Sequence, residues 1–146
     1  QSGVSSKDII VIGLDFTSCT MLPVDENNVP LCLLVKNVSR PHAWVKLWKH
    51  HGAQKQVDEI NELLKKRGEI DNIQFGGKIS SELLLPKILQ IVEEDPELYD
   101  EAASFLEVGD WLTQILTNGR KRSGNLAGYK AMWTPETGYP SKDFLL

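Results

Sequence analysis

Apolar residues early in the chain predict a strand followed by a hairpin. Residues 9–14 form an unbroken run of β-branched and aliphatic side chains between polar neighbours, which is typical of a strand buried on both faces. Two further apolar runs, at 20–24 and 29–35, flank the acidic and amide-rich residues 25–28, and this order predicts a hairpin. The polar loop at 15–19 should therefore lie at a strand end, where α/β folds tend to bind ligands.

A helical period replaces this pattern after residue 53. Residues 53–66 carry one apolar stripe, formed by Val57, Ile60, Leu63 and Leu64. Gly68 follows three cations that the helix dipole favours at this end, so it should stop the helix.

Further helices and one more strand are expected downstream. A helix capped by Ser80 or Ser81 should run to Glu94, with Pro86 tolerated in its first turn. The expected buried face of this helix is Leu84, Leu85, Ile88, Leu89 and Val92. A short helical stretch at 96–103 should precede a brief buried strand at 104–108. Asp110 should then cap a helix that ends at Asn118-Gly119, and a last short helix is expected near 126–133.

Composition narrows the class of protein. The 146 residues, 41% hydrophobic and 25% charged, fit one ordinary domain, and helices alternating with strands indicate the α/β class. A formal net charge of −4 gives no electrostatic reason to expect nucleic acid as a partner. No apolar run approaches the roughly 18 residues that a membrane helix needs. Cys19 and Cys32 lack metal-ligand spacing and are interpreted as small buried hydrophobes, which fits a cytoplasmic location.

The segment from Gly13 to Thr20 is the first candidate for ligand binding. It places Asp15, three hydroxyl residues and a thiol directly after the expected strand. Short polar side chains at a strand end can bind a polyol, because each sugar hydroxyl both donates and accepts hydrogen bonds. Equally, the hydroxyls could cap the turn while Asp15 bonds nearby backbone.

A cluster of aromatic and cationic residues at 44–51 is the second candidate. The face of an indole ring can cover the apolar side of a sugar, while Lys or His meets the hydroxyls. The adjacent His50 and His51 raise a metal site as an alternative, but no third ligand has suitable spacing. Trp44 is expected in the core rather than at a ligand.

Two later segments carry weaker signals. Gly76-Gly77 before a helix start could cradle phosphate, although the spacing is not that of a Walker A loop. A turn with a serine cap and Glu82 near the helix start explains these residues as well. Lys130 could donate to a substrate oxygen, or its stem could cover apolar surface with the ammonium in water. The residues alone thus predict an α/β module with a polyol pocket and no reaction centre of its own.

Four stretches combine these candidates: residues 13–25, Leu47-Trp48-Lys49-His50-His51, Phe75-Gly76-Gly77-Lys78-Ile79-Ser80-Ser81-Glu82 and Ala127-Gly128-Tyr129-Lys130-Ala131-Met132-Trp133. Taken together, and in this order, they resemble the L-ribulokinase branch of the FGGY carbohydrate kinases. The chain departs from that family's pattern at His50, where Asp is frequent, and at Leu83, where Trp is frequent.

The resemblance implies a two-domain enzyme of the actin-like, ribonuclease H-like ATPase fold, with residues 1–146 as the latter part of its N-terminal domain. The first strands and the second domain, which binds ATP and carries the catalytic aspartate, would lie outside the chain. By position, the residues that match the family's sugar pocket are Ser18, Trp48, Lys49, Glu82 and Lys130. The parent enzyme would use ATP and Mg²⁺ to phosphorylate L-ribulose, or a related ketopentose or pentitol, to the 5-phosphate in L-arabinose catabolism.

The expected partners follow from this resemblance. They are the sugar and the remainder of the kinase chain, with no nucleic acid and no membrane, and with a homo-oligomer left open. We expect the chain itself to be inactive and to hold neither ATP nor a metal. Two rival hypotheses remain: a non-catalytic carbohydrate-binding module, suggested by Trp48 and Lys49, and a purely structural fragment.

Overall fold

The structure, a computed structural model, describes residues 2–68 and 77–145, without the side chains of Tyr129 and Lys130. Two strands are present in these ranges, β1 (Met21–Val24) and β2 (Ser104–Glu107). The α-helices are α1 (Gln54–Arg67), α2 (Leu84–Glu94), α3 (Pro96–Glu101), α4 (Val108–Thr117), α5 (Gly124–Lys130) and α6 (Lys142–Leu145). Short 3₁₀ turns occupy Ser6–Asp8, Leu31–Leu33, Val35–Asn37 and Pro41–Ala43. This mixture of helices and strands is consistent with the predicted α/β class.

The two strands form an antiparallel pair. Met21 lies opposite Glu107, and Val24 lies opposite Ser104. Met21 also exchanges both backbone hydrogen bonds with Lys46, at 3.0 and 2.9 Å. Since one residue's N–H and C=O point to the same side of a strand, the segment around Lys46 runs along the other edge of β1.

Apolar side chains from distant parts of the chain pack into clusters around this pair. One cluster joins Met21 of β1 to Leu84 and Ile91 of α2 and to Ala131 after α5. A second cluster, called here the Cys19 cluster, consists of Cys19, Leu64, Ile79 and Leu83 with Ile60, Met132 and Phe144 packed against it. Both cysteines are buried, as predicted. Among the described residues, no helix has the length and apolar character needed to cross a bilayer.

Several predicted elements are confirmed. Helix α1 ends at Arg67, and Gly68 after it has φ of 68° and donates its N–H to the backbone carbonyl of Lys65. The break between α2 and α3 falls at Asp95, β2 occupies most of the predicted strand, and α4 ends at Asn118 in the left-handed conformation.

The predicted first strand is wrong. Residues 9–14 have no regular structure, and Ile10 is 94% exposed. A strand buried on both faces needs neighbouring strands and covering layers, and no described residue pairs with this run. The predicted hairpin is confirmed only next to its turn, where Val24 and Pro30 form an isolated antiparallel bridge. Its second strand is wrong, because β1 pairs with β2 while Leu31–Leu33 and Val35–Asn37 form 3₁₀ turns. The turn at 25–28 is present, with Asp25 Oδ1 accepting the N–H groups of Asn27 and Val29.

Two helix starts and one buried face also differ from the predictions. Helix α2 begins at Leu84, without a side-chain cap from Ser80 or Ser81. Its buried positions beyond Leu84 are Pro86, Lys87, Gln90 and Ile91, whereas Leu85, Ile88, Leu89 and Val92 are only half-buried. Helix α4 begins at Val108, so Asp110 lies inside its first turn, where its carboxylate accepts the N–H of Ser123 at 2.8 Å.

Candidate functional site

The turn before β1 holds Ser18. Its side chain is half-buried, and the next residue, Cys19, is fully buried with φ of 66°. This left-handed conformation costs a non-glycine residue about 1 kcal/mol or more, so surrounding contacts must hold it. The hydroxyls of Thr17 and Thr20 lie 3.0 Å apart and brace the turn from either side.

The turn at Trp48 and Lys49 lies beside the Ser18 turn. The Trp48 N–H donates to Thr20 Oγ1 at 3.3 Å, which ties the two turns together through backbone and hydroxyl. The indole of Trp48 is 42% exposed and Lys49 is exposed, so both side chains are available to a ligand. Trp44, predicted in the core, is instead 48% exposed, because its Nε1–H donates to the carbonyl of Val38 at the surface.

Lys87 of α2 is hydrogen-bonded to both the Ser18 turn and the Trp48 turn. Its Nζ donates to the carbonyl of Cys19 at 2.7 Å and to that of Leu47 at 2.8 Å. The sequence interpretation missed this residue. The signal was available, since Leu84, Lys87 and Ile91 follow the three-and-four spacing of one helix face, which puts a cation in an apolar stripe.

The turn at Glu82, just before α2, contacts this region through its neighbours. His51 Nδ1 lies 2.9 Å from Ser81 Oγ, and Leu83 packs in the Cys19 cluster. Glu82 itself is half-buried, with its N–H donating to Ser80 Oγ at 3.2 Å. Residues 69–76, which include Gly76 of the paired glycines, lie outside the described residues.

Lys130 is the last residue of α5, and its side chain is outside the described part of the chain. The residues that follow fix where its backbone lies. Ala131 packs with Met21 and Leu84, and Met132, with φ of 59°, packs against the Cys19 cluster. The segments that carry Ser18, Trp48, Glu82 and Lys130 therefore converge around Cys19, although they are far apart in sequence. The roles of Ser18, Trp48, Lys49, Glu82 and Lys130 as sugar ligands stay predictions.

A buried polar network lies beneath the Trp48 turn. Lys46 Nζ is 3.0 Å from His42 Nδ1 and 3.4 Å from Gln90 Oε1, which also lies 3.2 Å from His50 Nε2. Burial lowers the pKa of Lys46, His42 and His50, because the charged forms lose hydration. His50 and His51 contact different partners, Gln90 and Ser81, so the adjacent histidines do not converge on one point.

Known proteins similar in sequence indicate the family to which these converging segments belong. No protein-family model matches the chain. The ribulokinase of Bacillus licheniformis is 52% identical over 144 residues, which is 99% of this chain and 26% of that protein. Ribulokinases of Halalkalibacterium halodurans and Mycolicibacterium smegmatis are 49% and 44% identical, also over 99% of this chain and 26% of each relative. The chain is a homologue of bacterial ribulokinases.

The match confirms the resemblance predicted from the four stretches. Because it covers 99% of the chain, all four converging segments lie within it. The chain spans about a quarter of the length of the ribulokinases that it matches.

Proposed function

We propose that this chain forms part of the sugar-binding side of a carbohydrate kinase that transfers a phosphoryl group from ATP to L-ribulose. The observation that carries the proposal is the 52% identity to a ribulokinase along 144 residues. The convergence of the four segments around Cys19 supports it. The homology implies the actin-like kinase fold of the FGGY family for the whole enzyme.

In this proposal, the two turns and the end of α5 hold the sugar. The exposed indole face of Trp48 covers the C–H side of the sugar, and Ser18 and Lys49 meet its hydroxyls. Lys130 donates to a further sugar oxygen, and Glu82 lies at the margin of the pocket. A pocket of this kind fixes the sugar's orientation, which is the main contribution that a protein makes to phosphoryl transfer besides charge stabilisation.

The phosphate donor is assigned to other parts of the kinase. The described residues contain no group of three His, Cys, Asp or Glu side chains that could hold a metal ion, so we assign none of them to Mg²⁺. The base that accepts the proton of the attacking hydroxyl is likewise assigned to another part of the enzyme. The chain alone should then bind sugar weakly and release no ADP.

A second candidate function rests on the surface position of two tryptophans. Trp44 and Trp48 are both close to half exposed within five residues of each other. Exposed aromatic rings of this kind also occur in modules that bind carbohydrate without catalysis. Such a module would bind sugar without any other domain.

A segment exchange tests the kinase proposal. The 144-residue region of the Bacillus licheniformis ribulokinase that matches this chain is replaced by the chain, and L-ribulose-dependent ADP release is measured. We expect kcat/KM for L-ribulose within about tenfold of the unmodified enzyme, since tenfold corresponds to only about 1.4 kcal/mol of transition-state binding. A folded but inactive chimaera would contradict the proposal.

The chain on its own separates the two candidate functions. Calorimetry with L-ribulose should give no tight binding, and the ADP assay should give no signal. Tight binding by the chain alone, together with an inactive chimaera, would favour the carbohydrate-binding module.

A further inference from the structure

Lys87 is the most deeply buried cation among the described residues. Its side chain is 0% exposed and is the largest of the fully buried side chains. Taking an ammonium group out of water is unfavourable unless hydrogen bonds replace its hydration. Two hydrogen bonds of this kind run from Lys87 Nζ to the carbonyl oxygens of Cys19 and Leu47, at 2.7 and 2.8 Å.

An apolar side chain could fill this position, since α2 packs Leu84 and Ile91 in one apolar cluster. Such a side chain would leave the carbonyls of Cys19 and Leu47 without this donor. The lysine does, however, what no apolar residue can do. It fixes two backbone carbonyls, 28 positions apart in the chain, at one point.

The two carbonyls belong to the turns that carry Ser18 and Trp48. Cys19 follows Ser18 and holds the unfavourable φ of 66°, while Leu47 precedes Trp48. The bond from the Trp48 N–H to Thr20 Oγ1 is longer, at 3.3 Å, and weaker than a bond from an ammonium. Met21 and Lys46, next to the two turns, also exchange two backbone hydrogen bonds, but Lys87 supplies a described charged link to both turns themselves.

We propose that Lys87 is a positioning residue that holds the Ser18 and Trp48 turns in the spacing that the sugar needs. The inference rests on the proposed kinase function, because it takes these turns as the sugar site. Lys87 acts through the backbone of the turns and does not touch the sugar.

The test uses Lys87→Met in the active segment-exchange chimaera. Met has similar length without the ammonium, so it keeps most of the packing and removes both bonds. We expect KM for L-ribulose to rise at least about tenfold, a typical effect of losing charged hydrogen bonds, while KM for ATP stays within about twofold. Lys87→Arg keeps the charge but is longer and planar, so it should restore part of the affinity for L-ribulose.

Lys46→Met is the matched control. Lys46 is buried too, but its ammonium contacts the side chains of His42 and Gln90 rather than the turn carbonyls. We expect this variant to change thermal stability without raising KM for L-ribulose more than about threefold. Equal rises in KM for Lys46→Met and Lys87→Met would show a general loss of structure and overturn the inference.

The possible outcomes separate this inference from the kinase proposal. An inactive parent chimaera contradicts the kinase function itself. An active chimaera whose Lys87→Met variant keeps KM for L-ribulose within about twofold contradicts only the role of Lys87. If Lys87→Met does not fold, Lys87→Gln decides, because its neutral amide is shorter than the lysine side chain and carries no charge, so an unchanged KM in that folded variant also overturns the inference.

Discussion

At the residue scale, the pair Arg40 and Asp95 joins a loop to the junction between α2 and α3. Arg40 Nε donates to Asp95 Oδ2 at 3.1 Å, and Arg40 Nη2 donates to the other carboxylate oxygen. The Arg40 guanidinium holds the pKa of the Asp95 carboxyl below its usual value, and the pair is mostly shielded from solvent. This bidentate ion pair links two residues that lie 55 positions apart in the chain.

Asp95→Asn should lower stability in a pH-dependent way. Because the folded-state pKa is depressed, the carboxylate's contribution is fully present above the unfolded pKa of about 3.9 and is lost progressively as pH falls from there through the lower folded-state pKa. We expect a loss of about 1–3 kcal/mol in the free energy of unfolding at pH 7, and a clearly smaller loss at pH 3. Urea unfolding of the chain at both pH values measures this difference.

Asp100→Asn is the control for the pH experiment. Asp100 is an exposed carboxylate on the neighbouring helix α3, and its replacement should change stability by less than about 0.5 kcal/mol at either pH. A loss for Asp95→Asn that is the same at pH 7 and pH 3 would contradict the assigned ion pair.

Burial of single residues followed from the sequence only where side-chain chemistry decided it. Cys19 and Cys32 are buried, as small apolar thiols usually are. Trp44 was expected in the core, but its ring N–H donates to the carbonyl of Val38 at the surface. The type of residue at one sequence position does not indicate such a partner. Lys87 is buried against the usual preference of lysine, because two carbonyls from distant turns replace its water.

At the element scale, the end of α1 depends on one glycine. Gly68 has φ of 68°, and an added Cβ would meet no atom within 4 Å. Gly68→Ala should therefore cost about 1 kcal/mol through backbone conformation alone, since no clash contributes. Urea or thermal unfolding of the chain measures the loss.

Gly13→Ala is the control for Gly68→Ala. Gly13 also has open space around it, but its backbone is outside the left-handed region. Its replacement should be neutral or slightly stabilising, because Ala restricts the unfolded chain. Equal losses in the two variants would show that α1 does not end through the left-handed conformation of Gly68.

Elements were predictable where local signals agreed. The apolar stripe, terminal cations and glycine of α1 all specify the same helix, and the structure has it. Residues 9–14 carry an equally clear strand pattern. A strand forms, however, only where a neighbouring strand bonds to its backbone, and no described strand lies beside this run. The pairing of β1 with β2 joins residues 80 to 86 positions apart, and no local pattern indicates which distant strand β1 selects.

At the scale of the whole molecule, the described parts of the four stretches chosen from the sequence lie together. Thr20, Lys87, His51 and Met132 are the residues that connect them, through hydrogen bonds and packing around Cys19. The resemblance indicated which stretches belong together, whereas the contacts between them needed coordinates. Lys87 was not singled out from the sequence, and the connecting roles of Thr20, His51 and Met132 were not predicted, because each acts through a partner remote along the chain.

Comparing two tryptophans tests most directly whether this convergence forms a sugar site. In the active chimaera, Trp48→Ala should lower kcat/KM for L-ribulose at least about tenfold, because it removes the indole face from the sugar. Trp44→Ala removes a ring of similar exposure from the same segment and should leave that value within about threefold. Equal effects of the two variants, or an unchanged kcat/KM in Trp48→Ala, would contradict the sugar site at these turns.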